Sequence, residues 1–281
     1  AEVGGVLGQF FGGFTTLAYL STDANSLADV YITGGLSTVA RHPDEVYALC
    51  YDKMRTASER YYRRFPEHRD VMRRLVDLAD AGEIVLPDGE VVSRSRLRSV
   101  GSALGTDDGW QTVWSLLERD PSSNAFRHDL MHAMPYSGRN PLYFAFHESS
   151  YASGQATRWS AERTEPEDFR SDATLFTGEH IRREWTETVP AFRPWRDVTL
   201  ALAEFEWPRI YDPAAIAASE ATGAAAVYAN DVYVPMEFSL ETARLLPGVE
   251  LWVTSEHEHN GLRSGPVLTH LIDLAHGRRI R

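Results

Sequence analysis

The sequence holds one cysteine, Cys50, so no disulfide can form within the chain. A lone thiol fits a reducing, cytoplasmic setting, and a core position is the ordinary one for it. Positive charge is also scarce: 28 basic residues stand against 40 acidic ones, a net charge of −12. Nucleic acid and anionic membranes both require a basic surface, so neither is an expected partner. The clustered basics, Arg63-Arg64 and Arg278-Arg279-Ile280-Arg281, are short enough to be solvated faces. The run Val3 to Thr22 carries no charge, and no Lys or Arg precedes it. Neither a signal-peptide n-region nor a cationic anchor is therefore expected, and its glycines and threonines leave it weakly apolar for a membrane helix. No internal repeat or low-complexity linker is visible, and nothing fixes an oligomeric state.

What is present is an ordinary globular composition, 281 residues with 43% hydrophobic and 24% charged, enough for a sizeable core. Glu2 to Gly8 reads as a short buried strand, Gly8 to Gly13 as a tight turn and Phe14 to Leu20 as a helix. Val30 to Ile32 is a second apolar run, stopped by Thr33-Gly34-Gly35. From His42 to about Glu206 helical patterns dominate, among them Pro43–Tyr61, His68–Ala81 and Trp110–Glu118, with a hairpin-like turn at Pro87-Asp88-Gly89. Strand signals return at Ala224–Tyr228 and Val249–Thr254. Ser239–Leu246 reads as a helix capped by Ser239, and Pro266 opens a last helix that ends at Gly277. This order predicts a parallel α/β sheet interrupted by a large, mainly helical lid: core over 1–37, lid over 38–215, core again over 216–281.

The stretch VLGQFFGGF, Val6 to Phe14, has the frame of a nucleophile elbow, G-x-S-x-G, with Phe10 at the serine position. Gly8, Gly12 and Gly13 suit a turn in which the chain doubles back and a Cβ would clash. In such enzymes an acid follows one late strand and a histidine the next. Asp231 ends one late strand and His259 follows the other, and a parallel sheet would gather all three on its carboxyl edge. Asp231 alone could cap a loop, and His259 alone could be a surface residue. Two other groupings suggest metals. His128 and His132 sit four apart with no clear third ligand, and Glu256-His257-Glu258-His259 reads as an extended polar stretch, so no metal or other cofactor is expected. The glycines lack the Lys-Ser/Thr of a phosphate loop.

The chain resembles the proline iminopeptidase family, α/β-hydrolase-fold serine peptidases that remove N-terminal proline. The matching stretches are VLGQFFGGF, YITGGL, NPLYFAFHESSYASGQATRW, LFTGE, AAAVYANDVYV and VTSEHEHNGLR, spread over nearly the whole chain. The resemblance implies Asp231 as the triad acid, His259 as the base, Phe11 N–H as one oxyanion donor, and Glu148 and Glu179 as acidic residues that bind the substrate's protonated amine. Peptides with an N-terminal proline would be the partners. Phe10 departs from the pattern: it offers no lone pair for attack, and a bulky residue tolerates elbow angles poorly. The elbow also starts at residue 8, where relatives of this fold have earlier strands and a second oxyanion donor. The expectation is therefore a partial α/β-hydrolase fold with early strands missing and negligible activity, or alternatively a non-catalytic binder of prolyl peptides or amines.

Overall fold

A computed structural model describes residues 3–280; the Glu2 start expected for the first strand and Arg281 of the basic tail lie outside them. The chain divides into two compact units, one of Ala1–His42, Ser150–Gln155 and Glu206–Arg281, the other of Pro43–Ser149 and Ala156–Phe205.

The first unit is built on four strands, β1 (Val3–Gln9), β2 (Leu27–Thr33), β3 (Thr222–Tyr228) and β4 (Val249–Thr254), paired in the order β1-β2-β3-β4. Every pairing is parallel, with Gln9 opposite Thr33, Thr33 opposite Ala226, and Ala226 opposite Trp252. β3 is apolar without alternation because both its faces are buried. Ala225 and Val227 meet Leu17 and Leu20 of helix α1 (Phe11–Thr22) and Ile216 of α2 (Pro213–Ala217). Ala224, Ala226 and Tyr228 meet Val267, Leu271 and Leu274 of α4 (Val267–Ala275). Helices thus cover both faces of a parallel sheet, an α/β-hydrolase-like arrangement.

Two local expectations are corrected. α1 begins at Phe11, not Phe14, so the turn is a single residue, Phe10. The helix expected from Ser239 is α3 (Met236–Ala243), entered through Pro235, and the Ser239 hydroxyl bonds back to the Pro235 carbonyl inside it. Asp231 explains the earlier start: its Oδ1 accepts the amides of Tyr233 and Val234 at 2.8 and 2.9 Å and turns the chain before the proline.

The second unit is helical. Its longest helix, Pro43–Arg64, has Pro at its start, Asp44 and Glu45 in the first turn and Arg63 and Arg64 in the last, each favoured at that end. Cys50 is buried on this helix. The turn at Pro87-Asp88-Gly89 closes a small antiparallel bridge between Val85 and Val91, with Gly89 at φ 86°. An aromatic cluster of Tyr136, Phe144, Trp159, Trp185 and Phe192 forms one core, and the buried Arg96–Glu90 pair at 2.9 Å lies beside it, with the Arg96 guanidinium 5.1 Å from the Trp185 ring. Among the described residues no helix is long and apolar enough to cross a membrane.

Candidate active site

The carboxyl ends of β1, β2, β3 and β4 lead directly into Phe10, Gly34, Asp231 and the His259 loop. Parallel strands present all these loops on one edge, which is how residues more than 200 positions apart meet. Phe10 has φ 49° and ψ −113°, a conformation side chains other than hydrogen rarely adopt. Its amide donates to the Thr33 carbonyl at 3.1 Å, and its own carbonyl accepts from Gly13 at 2.8 Å. The backbone has the sharp strand-to-helix geometry of an elbow.

Close approach explains two of the three glycines. A Cβ on Gly8 would lie 2.5 Å from the Gly12 carbonyl carbon, and one on Gly13 would lie 2.4 Å from the Gly35 oxygen. Gly12 is different: nothing lies within 4 Å of its Cβ position, so the expectation that it too avoids a clash is corrected.

His259 Nδ1 lies 2.7 Å from Asp231 Oδ2, both side chains buried. Since a carboxylate that also accepts two amides can only accept here, Nδ1 carries the proton and Nε2 is the basic nitrogen. The Phe10 ring stands perpendicular to the imidazole, with centroids 4.9 Å apart, and Tyr233 packs on the same imidazole at 4.8 Å. Sequence reading missed Tyr233 and Gly34. The first positions Asp231 through its amide. The second, at φ 51°, leaves room for the imidazole, since a Cβ there would lie 3.0 Å from His259 Nδ1. Gly34 had a signal in the Thr33-Gly34-Gly35 stop; Tyr233 had none.

Glu148 and Glu179 belong to the helical unit. Glu148 is buried, and its two carboxylate oxygens accept the amides of Ser160 and Ala161 at 3.0 and 2.9 Å, capping the short helix Ser160–Arg163. Burial pushes its carboxyl up to about 7 even though those amides pull the other way. Glu179 accepts the Tyr143 hydroxyl at 2.7 Å and has His147 Nε2 at 3.8 Å, with 15% of its side chain exposed. Burial holds the His147 imidazole down to about 3, so it is neutral.

Among the described residues, neither metal-like grouping gathers three ligating side chains. His132 Nδ1 lies 2.7 Å from the His128 carbonyl, an ordinary helical contact. A different trio, Glu67, His68 and Glu118, does converge, but both His68 nitrogens are engaged, by the Tyr61 hydroxyl and by Glu118.

A parallel sheet sandwiched by helices, with an elbow after one strand and an aspartate–histidine pair after later ones, defines an α/β-hydrolase-type fold. No family model matches the chain. It is 34% identical over 273 residues to the proline iminopeptidase of Aeromonas sobria, covering 92% of this chain and 63% of that protein. It is 24% identical over 272 residues to the proline iminopeptidase aneH of Aspergillus aculeatus, covering 92% of this chain and 60% of that protein. The chain therefore spans less than two thirds of these curated relatives. Among solved structures, an acetylester hydrolase from Corynebacterium glutamicum aligns at 13% identity over 92% of this chain and 56% of that one, with a TM-score of 0.31 that carries no functional argument.

Proposed function

We propose that this chain carries the catalytic frame of a proline iminopeptidase-type serine hydrolase with its nucleophile replaced, and that it does not turn over peptides as it stands. The observation that carries this reading is the Asp231–His259 pair at 2.7 Å facing an elbow residue whose side chain is a benzyl group. In an intact site a hydroxyl at position 10 would attack the prolyl carbonyl, His259 Nε2 would take its proton, and Asp231 would hold the tautomer. The Phe11 amide, in the first turn of α1 where amides lack helical acceptors, would be one oxyanion donor. With no lone pair on Phe10, neither attack nor an acyl intermediate can occur there. Glu148 caps a helix with both oxygens, which argues against its assignment to the substrate's amine.

Loss of the serine from such a triad costs about 10⁶ in kcat. Hydrolysis of a prolyl chromogenic amide is therefore expected at about a millionth of an intact enzyme's rate; turnover blocked by a serine-directed inhibitor would overturn the reading. A second reading, a non-catalytic binder of prolyl peptides, is favoured by the retained frame around Phe10. Calorimetry with short prolyl peptides separates the two, since micromolar binding without turnover supports the binder.

A further inference from the structure

Within the helical unit, Glu67 and His68 lead into the helix His68–Asp80, and Glu118 follows the helix Gly109–Leu117. One ligating atom from each, a carboxylate oxygen or an imidazole nitrogen, lies within 4.8 Å of the other two. His68 is fully buried and its ring is fixed in place: Phe65 stacks on it at 5.6 Å, and Nδ1 lies 2.7 Å from the Tyr61 hydroxyl. Nε2 is thereby directed at Glu118 Oε1, 2.8 Å away, while both carboxylates are exposed and able to adjust. Charge at this place is one-sided. Among the described residues neither Glu67 nor Glu118 pairs with a lysine or arginine. Glu118 also stands at the C-terminal end of its helix, where the helix dipole disfavours an anion. Burial, and after it the two carboxylates, push the Tyr61 hydroxyl up, so it stays protonated beside the imidazole.

The hydrogen bond between His68 Nε2 and Glu118 does not close this place to a cation. The Tyr61 hydroxyl can either donate to Nδ1 or accept from it, so the imidazole proton can move from Nε2 to Nδ1 without a change of charge. Nε2 then offers a lone pair where it now offers a proton. Nδ1–H bonds to Tyr61, the outer hydrogen bond that metal-ligating histidines ordinarily carry. A tetrahedral zinc ion holds its ligand atoms roughly 3.4 Å apart, a closure of about 1 Å that exposed carboxylates make by changing rotamer.

We propose that Glu67, His68 Nε2 and Glu118 bind one zinc ion, with Tyr61 orienting the imidazole from behind. One imidazole and two carboxylates suit zinc, whereas magnesium and calcium favour shells of oxygen alone. This departs from the expectation of no metal, because His68 and Glu118 lie 50 positions apart and share no local motif. It is independent of the hydrolase reading. The test is calorimetry of the full chain, stripped of metal by a chelator, with zinc chloride and, separately, with calcium chloride. Saturable binding of one zinc per chain is expected, much tighter than calcium. The chain has 10 histidines, so variants must locate the ion. Glu118→Gln keeps an oxygen that accepts from Nε2 but loses the charge, and Glu67→Gln loses the other charge; each should weaken zinc roughly tenfold. Tyr61→Phe removes only the orienting hydroxyl and should weaken zinc about 10–100-fold, a response that zinc held by other histidines would not give. If the phenylalanine variant does not fold, the two glutamine variants decide. No saturable heat with zinc, calcium bound as tightly as zinc, or an affinity that any folded variant leaves unchanged overturns the proposal and leaves His68 a buried structural histidine.

Discussion

Phe10 is held at φ 49° by the hydrogen bond its amide donates to the Thr33 carbonyl and by the helix that starts immediately after it. A side chain in that region costs on the order of 1–3 kcal/mol. The ring recovers part of this through its contacts with Phe14 at 5.4 Å and His259 at 4.9 Å. Removing the half-buried ring should therefore destabilise the protein by about 2 kcal/mol, less than a fully buried phenylalanine would. Strain and ring contacts are separable by experiment. Phe10→Ala keeps the Cβ that the backbone resists, whereas Phe10→Gly removes it. The glycine variant is expected to be more stable than the alanine variant by about 1 kcal/mol, the reverse of the usual order. Urea unfolding of the two variants checks this, and the ordinary order, alanine above glycine, would show that Phe10 is unstrained.

The strand-turn-helix element depends on backbone meeting backbone. At Gly8 and Gly13 the atoms in the way of a Cβ are carbonyls of Gly12 and Gly35, which cannot rotate aside as a side chain would. Gly8→Ala and Gly13→Ala should each lose about 3 kcal/mol or more, and Gly12→Ala, in open space within a helix, should gain about 0.5–1 kcal/mol. Thermal unfolding of the three variants reads out the contrast; equal losses at all three positions would refute it. The glycine spacing and the two late strands made the frame of this site legible in the sequence, because a parallel sheet allows few places for loops that follow its strands. The start of α1 was not legible. Gly12 and Gly13 argue locally against helix, and only packing against β1 and Gly35 overrides that preference. Nor could Ser239 be rejected as a cap without seeing that Asp231 turns the chain five residues before α3 begins. The role of Glu148 was hidden for a similar reason: the amides it accepts lie 12 and 13 residues further on, beyond any local pattern.

For the molecule as a whole, buried ionisable groups set how stability follows pH, and two neighbours in sequence act in opposite senses. His147 is neutral in the folded state down to about 3 but charges at 6.5 when exposed, so its contribution is lost as pH falls below 6.5. His180, also pushed well down by burial, adds to this acid sensitivity. Glu148 stays protonated in the folded state up to about 7 but ionises at 4.5 when exposed. The folded state therefore binds the extra proton between those values, and the stability this confers, complete below pH 4.5, is lost as pH rises toward 7. Each slope is about 1.4 kcal/mol per pH unit, so Glu148 offsets one histidine between pH 4.5 and 6.5. Glu148→Gln removes the Glu148 slope, together with one of its two backbone hydrogen bonds, a loss that is the same at every pH because the new NH2 group cannot accept. Relative to the unaltered protein, that variant should gain stability steadily from pH 4.5 to 7 and run parallel to it on either side. Urea unfolding across that range measures the difference directly. Curves parallel throughout would mean that Glu148 titrates at its exposed value and that its two amide partners, rather than burial, govern its charge.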